Sequence, residues 1–470
     1  MKHRILASVL ALCVFIGIQV QAQSAADIAA LRGLAPVAVL SNSDAGKAAL
    51  AANYIVTGGI QTGTIAQPTL LPFPVQQQQA LQDAFITGSN LAQLADGLGT
   101  TLGSAYTARF HYVDQRNTSK LPDAIAEVIG YANAVTGAHS NQGKYLFANA
   151  TTDGKTAVSP EAAAILTQIG GTPDTFGKAY GLAAGTTGAD AYGNSRPFQT
   201  ELTVARFLGP DYLNTPSGND VYNRGPAMNL INSPSYPSGH TTYGYTGAVL
   251  LAILVPARYE QMIARGAEYG NDRVIMGSHY VMDVMGGRTL ALYDMAHLLA
   301  DDPAYMNLSV RGATPVKDFQ AAIKKARDEL ESVLQAGCGN TIETCAKEDT
   351  GRFSNAAANE TFYEATQTYN LPVVYPKTAG VLEDVARIAP EAGHLLTIAF
   401  PSLTLEQADK ILTETEGPGG GFLDDGSSCF GVYSRLNLVA AVHRASQMTA
   451  GRYFDRLWIE KLSRGNSGLD

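Results

Sequence analysis

Apolar residues recur at spacings of three and four through much of this sequence, and this periodicity constrains the fold more than any other feature. It occurs in stretches rich in strong helix formers, bounded by glycine, proline or serine, and it predicts amphipathic helices. The predicted helical segments are 78–98, 122–135, 160–169, 316–336, 379–389 and 403–415. Strand-like runs are few, at 70–75 and 371–375, both bounded by proline. We therefore predict an all-α fold.

The chain is expected to divide into four regions. Residues 1–22 have a basic start, an apolar run and a small-residue cleavage site ending at Ala22, which predict a signal peptide. An N-terminal helical region is expected at 23–180, a central region at 181–305 and a C-terminal helical region at 306–470. Glycine-rich loops are predicted at 181–194 and 417–421, and a closing helix at 435–446.

Charge and targeting restrict the partners of this chain. The signal predicts a periplasmic or secreted protein without integral membrane association after cleavage. The net charge of -9 leaves no broad basic surface, which argues against nucleic acid and anionic membranes as partners. Any anion must therefore be bound by a local cluster. The sequence does not indicate an oligomeric state.

Three cysteines remain after the predicted cleavage. In an oxidising compartment we expect a local disulfide between Cys338 and Cys345, with Cys429 left single. The alternative is that all three are reduced. No histidine lies near them in sequence, so their spacing does not favour a zinc site.

Three motifs lie in order in the central region: Arg196-Pro197, then Pro237-Ser238-Gly239-His240, then Arg273 followed by His279 and Asp283. The second motif predicts an anion cradle at the start of a helix. In it, Pro237 suits the first turn, Ser238 can cap the free amides, and the apolar run 243–254 continues the helix. Gly239 lets an oxyanion approach the backbone, where the helix dipole adds positive potential. His240, one residue further, is a candidate general acid.

The third motif places His279 and Asp283 four residues apart, so they share a face of the helix predicted at 278–299. A carboxylate there can accept the Nδ1 hydrogen of the imidazole and leave Nε2 free to attack phosphorus. Arg273, and Arg196 of the first motif, can offer forked donors to phosphoryl oxygens. Such a site needs no metal. Each motif alone often serves only structure, but the ordered combination favours function.

Together the motifs resemble the signature of the PAP2 superfamily, which contains bacterial class A nonspecific acid phosphatases, lipid phosphate phosphatases and vanadium-dependent haloperoxidases. That signature reads Lys-x6-Arg-Pro, Pro-Ser-Gly-His and Ser-Arg-x5-His-x3-Asp, and the resemblance covers about 189–290. It implies a PAP2/haloperoxidase-like helical bundle core with N- and C-terminal helical extensions. The implied roles are Arg196 and Arg273 as phosphate ligands, Ser238 and Gly239 as hydroxyl and backbone donors, His240 as acid, His279 as nucleophile and Asp283 as its orienting partner.

Two positions depart from that signature. Ala189 stands where the family has its phosphate-binding lysine, and Asp272 stands where a serine precedes the arginine. A lost charge-assisted contact to the oxyanion is worth on the order of 2 to 4 kcal/mol in the transition state. The candidates to compensate for the lysine are Lys178, Arg206 and Asn194.

The leading functional prediction is an exported, metal-independent phosphomonoester hydrolase that forms a phosphohistidine at His279. Its partner would be a small phosphomonoester or another oxyanion, and no cofactor is expected. One alternative is a vanadium-dependent haloperoxidase, which the long N-terminal region favours and in which vanadate would be bound with His279 as axial ligand. The other is a noncatalytic anion-binding relative, against which the presence of both histidines and both arginines argues.

Overall fold

The computed structural model describes residues 24–65, 68–84, 90–115, 117–147, 160–171, 194–200 and 204–448. Within these ranges the chain consists of α-helices, short 3-10 segments and one two-stranded sheet, so the predicted all-α class is confirmed. The predicted signal peptide, Ala189, Lys178 and most of the predicted loop 181–194 lie outside the described residues.

The described ranges before the central region contain helices α1 (Ala25–Leu34), α2 (Asp44–Thr62), α3 (Phe73–Asp83), α4 (Thr100–Arg109), α5 (Asp123–Phe147) and α6 (Pro160–Ile169), with 3-10 segments at Ala35–Asn42 and Ala92–Leu98. The central region contains α7 (Pro197–Thr200), α8 (Asn219–Asn223), α9 (Gly239–Leu254), a 3-10 segment at Pro256–Arg258, α10 (Tyr259–Ile275) and α11 (Val281–Leu299). Its strands β1 (Leu208–Pro210) and β2 (Pro216–Gly218) pair antiparallel.

The C-terminal region contains α12 (Phe319–Cys338), α13 (Ile342–Lys347), α14 (Ala356–Thr368), α15 (Val385–Ile388), a 3-10 segment at Pro390–Gly393, α16 (His394–Thr397), α17 (Leu405–Glu414) and α18 (Phe430–Arg435). Within the described residues, a further helix, α19, covers 438–448 and corresponds to the predicted closing helix.

Local capping explains where several of these helices begin and end. The Ser43 side chain accepts a hydrogen bond from the Gly46 amide at the start of α2, and Asp318 accepts one from Ala321 at the start of α12. Helix α12 ends at Cys338 and is capped by Gly339, whose φ of 75° is left-handed and therefore favours glycine. Capping of this kind is readable from sequence, and α12 lies within three residues of its predicted limits.

Helices α9, α10 and α11 form the centre of the fold. Helix α9 packs against α5, α10 and α11, while α11 also contacts α18 and α10 also contacts α3 and α14. Every residue of α9 from Gly244 to Leu254 is buried, as expected of a helix that is apolar on all sides. One hydrophobic cluster runs from Ala26 to Ala445 and includes residues of all three regions predicted after the signal. The division into those regions stays a prediction.

Two buried cations tie other helices to α11. His139 of α5 lies between Asp294 of α11 and Asp27 of α1, at 2.8 Å and 3.1 Å. Arg288 of α11 donates to the carbonyl groups of Thr366, Gln367 and Ser434, at 3.3, 3.4 and 3.0 Å. The N- and C-terminal helices therefore fix the position of α11 through polar contacts as well as through packing.

Five predicted segments are wrong in extent or type. The helix expected at 122–135 continues to Phe147 as α5. The helix expected at 78–98 ends at Asp83, whose carboxylate pairs with a buried arginine of α10, and 92–98 is a 3-10 segment. The run 70–75 is not a strand, because α3 begins at Phe73 with a proline in its first turn. The run 371–375 is irregular. The segment 379–389 forms only the short α15, because side chains of residues 413 and 416 accept hydrogen bonds from its amides.

The expected disulfide between Cys338 and Cys345 is present, and Cys429 is unpaired and partly buried. Over the described ranges, the helices are too short or too polar to cross a bilayer.

Candidate active site

The start of α9 forms one side of the candidate site. Ser238 caps the helix, as predicted: its Oγ accepts hydrogen bonds from the amide and the hydroxyl of Thr241, at 3.1 Å and 2.9 Å. The Ser238 hydroxyl hydrogen takes no part in either bond. Pro237 precedes the cap and does not lie in the first turn as predicted, because the Ser238 amide donates to the Asp283 carbonyl at 3.0 Å and the cap residue is extended.

The first backbone amides of α9 are available to an anion. In the part of the chain that the structure describes, no acceptor lies against the N–H groups of Gly239 and His240, which is the usual state of a first helical turn. These two N–H groups and the Ser238 hydroxyl make the predicted cradle.

His279 was predicted to lie on the helix at 278–299. In the structure it lies just before α11. Helix α11 begins at Val281, because Asp283 in its first turn accepts a hydrogen bond from the Tyr280 amide at 2.9 Å and thereby caps it. The expected neighbour is nevertheless present: Nδ1 of the fully buried His279 is 3.4 Å from Oδ2 of Asp283. The two residues meet through a helix cap and not through a shared helix face.

A third residue, Ser235, joins this pair and was not predicted. Its hydroxyl donates to Oδ2 of Asp283, and its Oγ is 3.4 Å from Nδ1 of His279. The Nδ1 side of the imidazole therefore faces acceptor oxygens. With the proton on Nδ1, Nε2 carries a lone pair.

The Nε2 side of His279 is where the three motifs meet. Nη1 of Arg196 lies 2.9 Å from Nε2 of His279, and Nδ1 of His240 lies 3.2 Å from it. Arg196 is buried and held in place by the carbonyl groups of Ser233, Pro234 and Ser278, at 2.6, 3.1 and 3.0 Å. A fixed guanidinium beside a nucleophilic nitrogen is the geometry that binding of a phosphoryl oxygen requires.

Arg273 is buried in the last turn of α10, but it faces a different set of partners. Its Nη2 donates to the Ala80 carbonyl at 3.1 Å, and its guanidinium lies 4.9 Å from the centre of the Tyr269 ring. Among the described residues it makes no hydrogen bond to another predicted site residue. Its charge does reach the site, because it contributes to lowering the pKa of His240 and of His279.

Burial and positive charge keep both imidazoles neutral. Burial, then Arg196, lowers the pKa of His279 well below 6.5, and burial, then Arg273, lowers the pKa of His240 well below the same value. Burial raises the pKa of Asp283 to about 7, despite its hydrogen bond from Ser235. A bound dianion would raise the pKa of both imidazoles, because an opposite charge favours the protonated form.

A cavity of about 610 Å³ opens above Gly239 and His240, and helix α5 forms one of its walls. Lys144 and Ser140 line that wall and were not predicted as site residues. A Cβ placed on Gly239 would lie 3.3 Å from Ser140 Oγ and 3.7 Å from Lys144 Nζ. No motif surrounds these two residues, and their position depends on the packing of α5 against α9, so the sequence carries no local signal for them.

The structure places two of the three residues that were expected to compensate for the missing lysine. Both polar atoms of the Asn194 side chain bond to the backbone of Tyr236, at 3.0 Å and 3.2 Å. Arg206 is exposed and pairs with Asp220. These contacts direct both side chains to other partners.

Comparisons with known proteins agree with the motifs. Residues 176–300 match the sequence model of the PAP2 superfamily. The chain is 35% identical over 97 residues to an acid phosphatase of Zymomonas mobilis subsp. mobilis, covering 21% of this chain and 31% of that protein. It is 35% identical over 101 residues to a non-specific acid phosphatase of Salmonella typhimurium, covering 22% and 34%. A non-specific acid phosphatase of Providencia stuartii is 33% identical over 101 residues, covering 22% and 35%.

These matches span about a third of the length of each relative. Within that limit the resemblance predicted from the motifs is confirmed: residues 176–300 match the PAP2 superfamily, and about a fifth of the chain is homologous to part of the bacterial non-specific acid phosphatases.

Proposed function

We propose that this chain is an exported phosphomonoester hydrolase that works through a phosphohistidine at His279. The observation that carries the proposal is the surroundings of one imidazole: Arg196 and His240 meet its Nε2, and Asp283 lies beside its Nδ1. The acid phosphatases that match about a fifth of the chain support the reaction class.

In the first step, Nε2 of His279 attacks phosphorus, the N–P bond forms and the bond to the ester oxygen breaks. His240, protonated because the substrate dianion raises its pKa, gives its proton to the leaving oxygen. Arg196, the Ser238 hydroxyl and the first amides of α9 bind the three remaining phosphoryl oxygens. Asp283 holds the Nδ1 proton and stabilises the positive charge that the ring acquires.

In the second step, water attacks phosphorus while neutral His240 removes its proton. The N–P bond breaks, inorganic phosphate is released, and His279 returns to its neutral form. The 3.2 Å from Nε2 of His279 to Nδ1 of His240 and the 2.9 Å from Nε2 to Nη1 of Arg196 are both too short to admit a phosphorus atom, so Arg196 exchanges its contact with Nε2 for one with a phosphoryl oxygen. His240 therefore moves away from His279 when substrate binds, into the cavity that already lies beside it.

The proposal includes export and independence of metal ions, both of which rest on the sequence. The first 22 residues would be removed during export, and the hydrolase would work in the periplasm or outside the cell. Mass spectrometry of the protein in the periplasmic and cytoplasmic fractions tests this. A chain that is found in the cytoplasmic fraction and still begins at Met1 contradicts it.

The central experiment measures hydrolysis of p-nitrophenyl phosphate by the mature chain, between about pH 4 and 8 and with EDTA present. His279→Ala should reduce kcat by about a thousandfold or more, because a covalent step loses its nucleophile. The matched control is His111→Asn, since His111 is exposed and far from the motifs in sequence. Wild-type activity that disappears with EDTA, or that persists in His279→Ala, contradicts the proposal.

A second measurement separates the roles of the two histidines. His240→Asn should slow hydrolysis of an alkyl phosphate by about 100-fold or more and p-nitrophenyl phosphate by less, because p-nitrophenolate leaves without a proton. Acid quenching during turnover should trap phosphate on the chain in wild type and not in His279→Ala. Bromide oxidation that requires added vanadate, in place of hydrolysis, would support the haloperoxidase alternative, which stays a prediction.

A further inference from the structure

Helix α5 presents two polar side chains to the start of α9, one turn apart on the same face. Ser140 is 2% exposed and Lys144 is 9% exposed, so both are more than nine-tenths buried. Ser140 Oγ has no hydrogen-bond partner within the described ranges. A buried hydroxyl without a partner loses its bonds to water and gains none in return, and a bound ligand can remove this loss.

Both side chains lie against the residue that forms the cradle. The Cβ position of Gly239 is 3.3 Å from Ser140 Oγ, 3.4 Å from Lys144 Cε and 3.7 Å from Lys144 Nζ. These distances place the hydroxyl and the ammonium beside the first amide groups of α9, which are themselves available to an anion. The two helices therefore direct donors of hydrogen bonds to one place.

The electrostatics of the site also point to an anion at this place. The charges of Arg196, Arg273 and Lys144 all act on the neighbouring His240 and His279, and each lowers their pKa. Three cations close enough to act on the same two imidazoles repel one another, in a chain whose net charge is -9. A phosphoryl dianion would turn this repulsion into attraction.

We propose that Lys144 and Ser140 bind the phosphoryl group directly, and that Lys144 supplies the ammonium that the superfamily signature places at the position of Ala189. This inference rests on the proposed function for the identity of the anion. Lys144 Nζ and the Ser140 hydroxyl each donate to a non-bridging oxygen, next to those bound by Arg196 and by the amides of α9. The phosphate cradle thus takes a wall from a helix outside the three motifs.

The test is calorimetric titration of the mature protein with inorganic phosphate and with orthovanadate. Lys144→Met should weaken phosphate binding by about 10- to 100-fold, the range for a charge-assisted hydrogen bond. Lys144→Arg keeps the charge and should lose less, and Ser140→Ala should weaken binding by about 3- to 10-fold. Two further variants complete the set: Lys178→Met tests the other lysine considered for this role, and Lys120→Met is the control for charge.

Lys120 is a suitable control because it precedes the same helix, has a side chain that is 85% exposed and pairs with the neighbouring Asp123. Its removal changes the net charge equally and should leave phosphate binding unchanged. Equal losses in Lys120→Met and Lys144→Met would attribute the effect to net charge and overturn the inference. Wild-type affinity in Lys144→Met, or the main loss in Lys178→Met, would also overturn it.

Folding and function are checked on the same preparations. Circular dichroism shows whether Lys144→Met folds. If that variant does not fold, Ser140→Ala, which removes only one oxygen atom, still tests whether this wall binds phosphate. Wild type that binds phosphate through Lys144 but hydrolyses no ester supports the inference and contradicts the proposed function. Normal hydrolysis with normal phosphate binding in Lys144→Met and Ser140→Ala contradicts the inference alone.

Discussion

Asp283→Asn should make this protein more stable and less active, with a gain in stability that grows as pH rises from about 4 to about 7. The Asp283 carboxyl group is buried, and its Oδ1 has no hydrogen-bond partner over the described ranges. Burial raises its pKa from 3.8 to about 7. Since the folded-state pKa is above the unfolded one, the folded state favours the protonated acid and loses stability as pH rises from about 4 to about 7.

The size of this loss follows from the two pKa values. A difference of about 3 units, at about 1.4 kcal/mol per unit, makes the ionised carboxylate unfavourable by about 4 kcal/mol at pH 8. Asparagine has nearly the same shape, stays neutral and can still accept the hydrogen bonds from Ser235 and from the Tyr280 amide. Asp283→Asn should therefore match wild type at pH 4 and exceed its free energy of unfolding by up to about 4 kcal/mol at pH 8.

Activity should change in the opposite direction. The asparagine cannot carry the charge that stabilises the phosphorylated imidazole, so kcat should fall by about 100-fold or more. The assay is urea unfolding followed by circular dichroism at pH 4, 6 and 8, together with hydrolysis of p-nitrophenyl phosphate. A variant less stable than wild type at pH 8, or a stability difference independent of pH, would refute the reasoning.

Asp27→Asn provides a contrast of opposite sign. Burial alone would raise the pKa of Asp27, but the hydrogen bond and charge of His139 outweigh it and lower that pKa to about 2. The ionised Asp27 therefore contributes stability above pH 4, which is lost as pH falls through 2. Asp27→Asn should be less stable than wild type at pH 6 and 8, in the same unfolding experiment.

Two further predictions concern the packing around the site. Asp294 raises the pKa of His139 to about 10 against the effect of burial, so the stability from this contact is complete below pH 6.5 and is lost as pH rises through 10. The melting temperature of wild type should thus fall more between pH 7 and 10 than that of His139→Gln; equal falls would contradict this. A Cβ on Gly287 would lie 2.5 Å from the Ser238 carbonyl oxygen, so Gly287→Ala should destabilise by about 1 to 3 kcal/mol and lower activity. Gly58→Ala meets no atom within 4 Å and should be neutral or stabilising in urea unfolding, which makes it the matched control.

Local signals made part of the site predictable. The start of α9 follows from the capping serine and the apolar run after it, and both depend only on neighbouring residues. The contact between His279 and Asp283 was predicted from helical spacing, although the structure produces it through a helix cap. A four-residue separation brings side chains together in either geometry, so the prediction gave the right contact from the wrong element.

Other parts of the site and fold depend on contacts between distant segments. Lys144 reaches the cradle because α5 packs against α9, and nothing near it in sequence distinguishes it from any other helical lysine. Ser235 likewise becomes a partner of Asp283 only when the loop before α9 folds against α11. The segment 379–389 has helical periodicity, but side chains about 30 residues away accept the hydrogen bonds of its amides.

Arg288 makes the superfamily region depend on the helices that follow it in the chain. It lies in α11, little more than a turn beyond Asp283, and its guanidinium bonds to three carbonyl groups that all lie beyond residue 300. A fragment cut to the superfamily match would lose these three carbonyl acceptors and keep only the hydrogen bond with Tyr245 among the described contacts of this guanidinium. A homologue with different C-terminal helices would therefore need other acceptors for this guanidinium, or another residue at position 288.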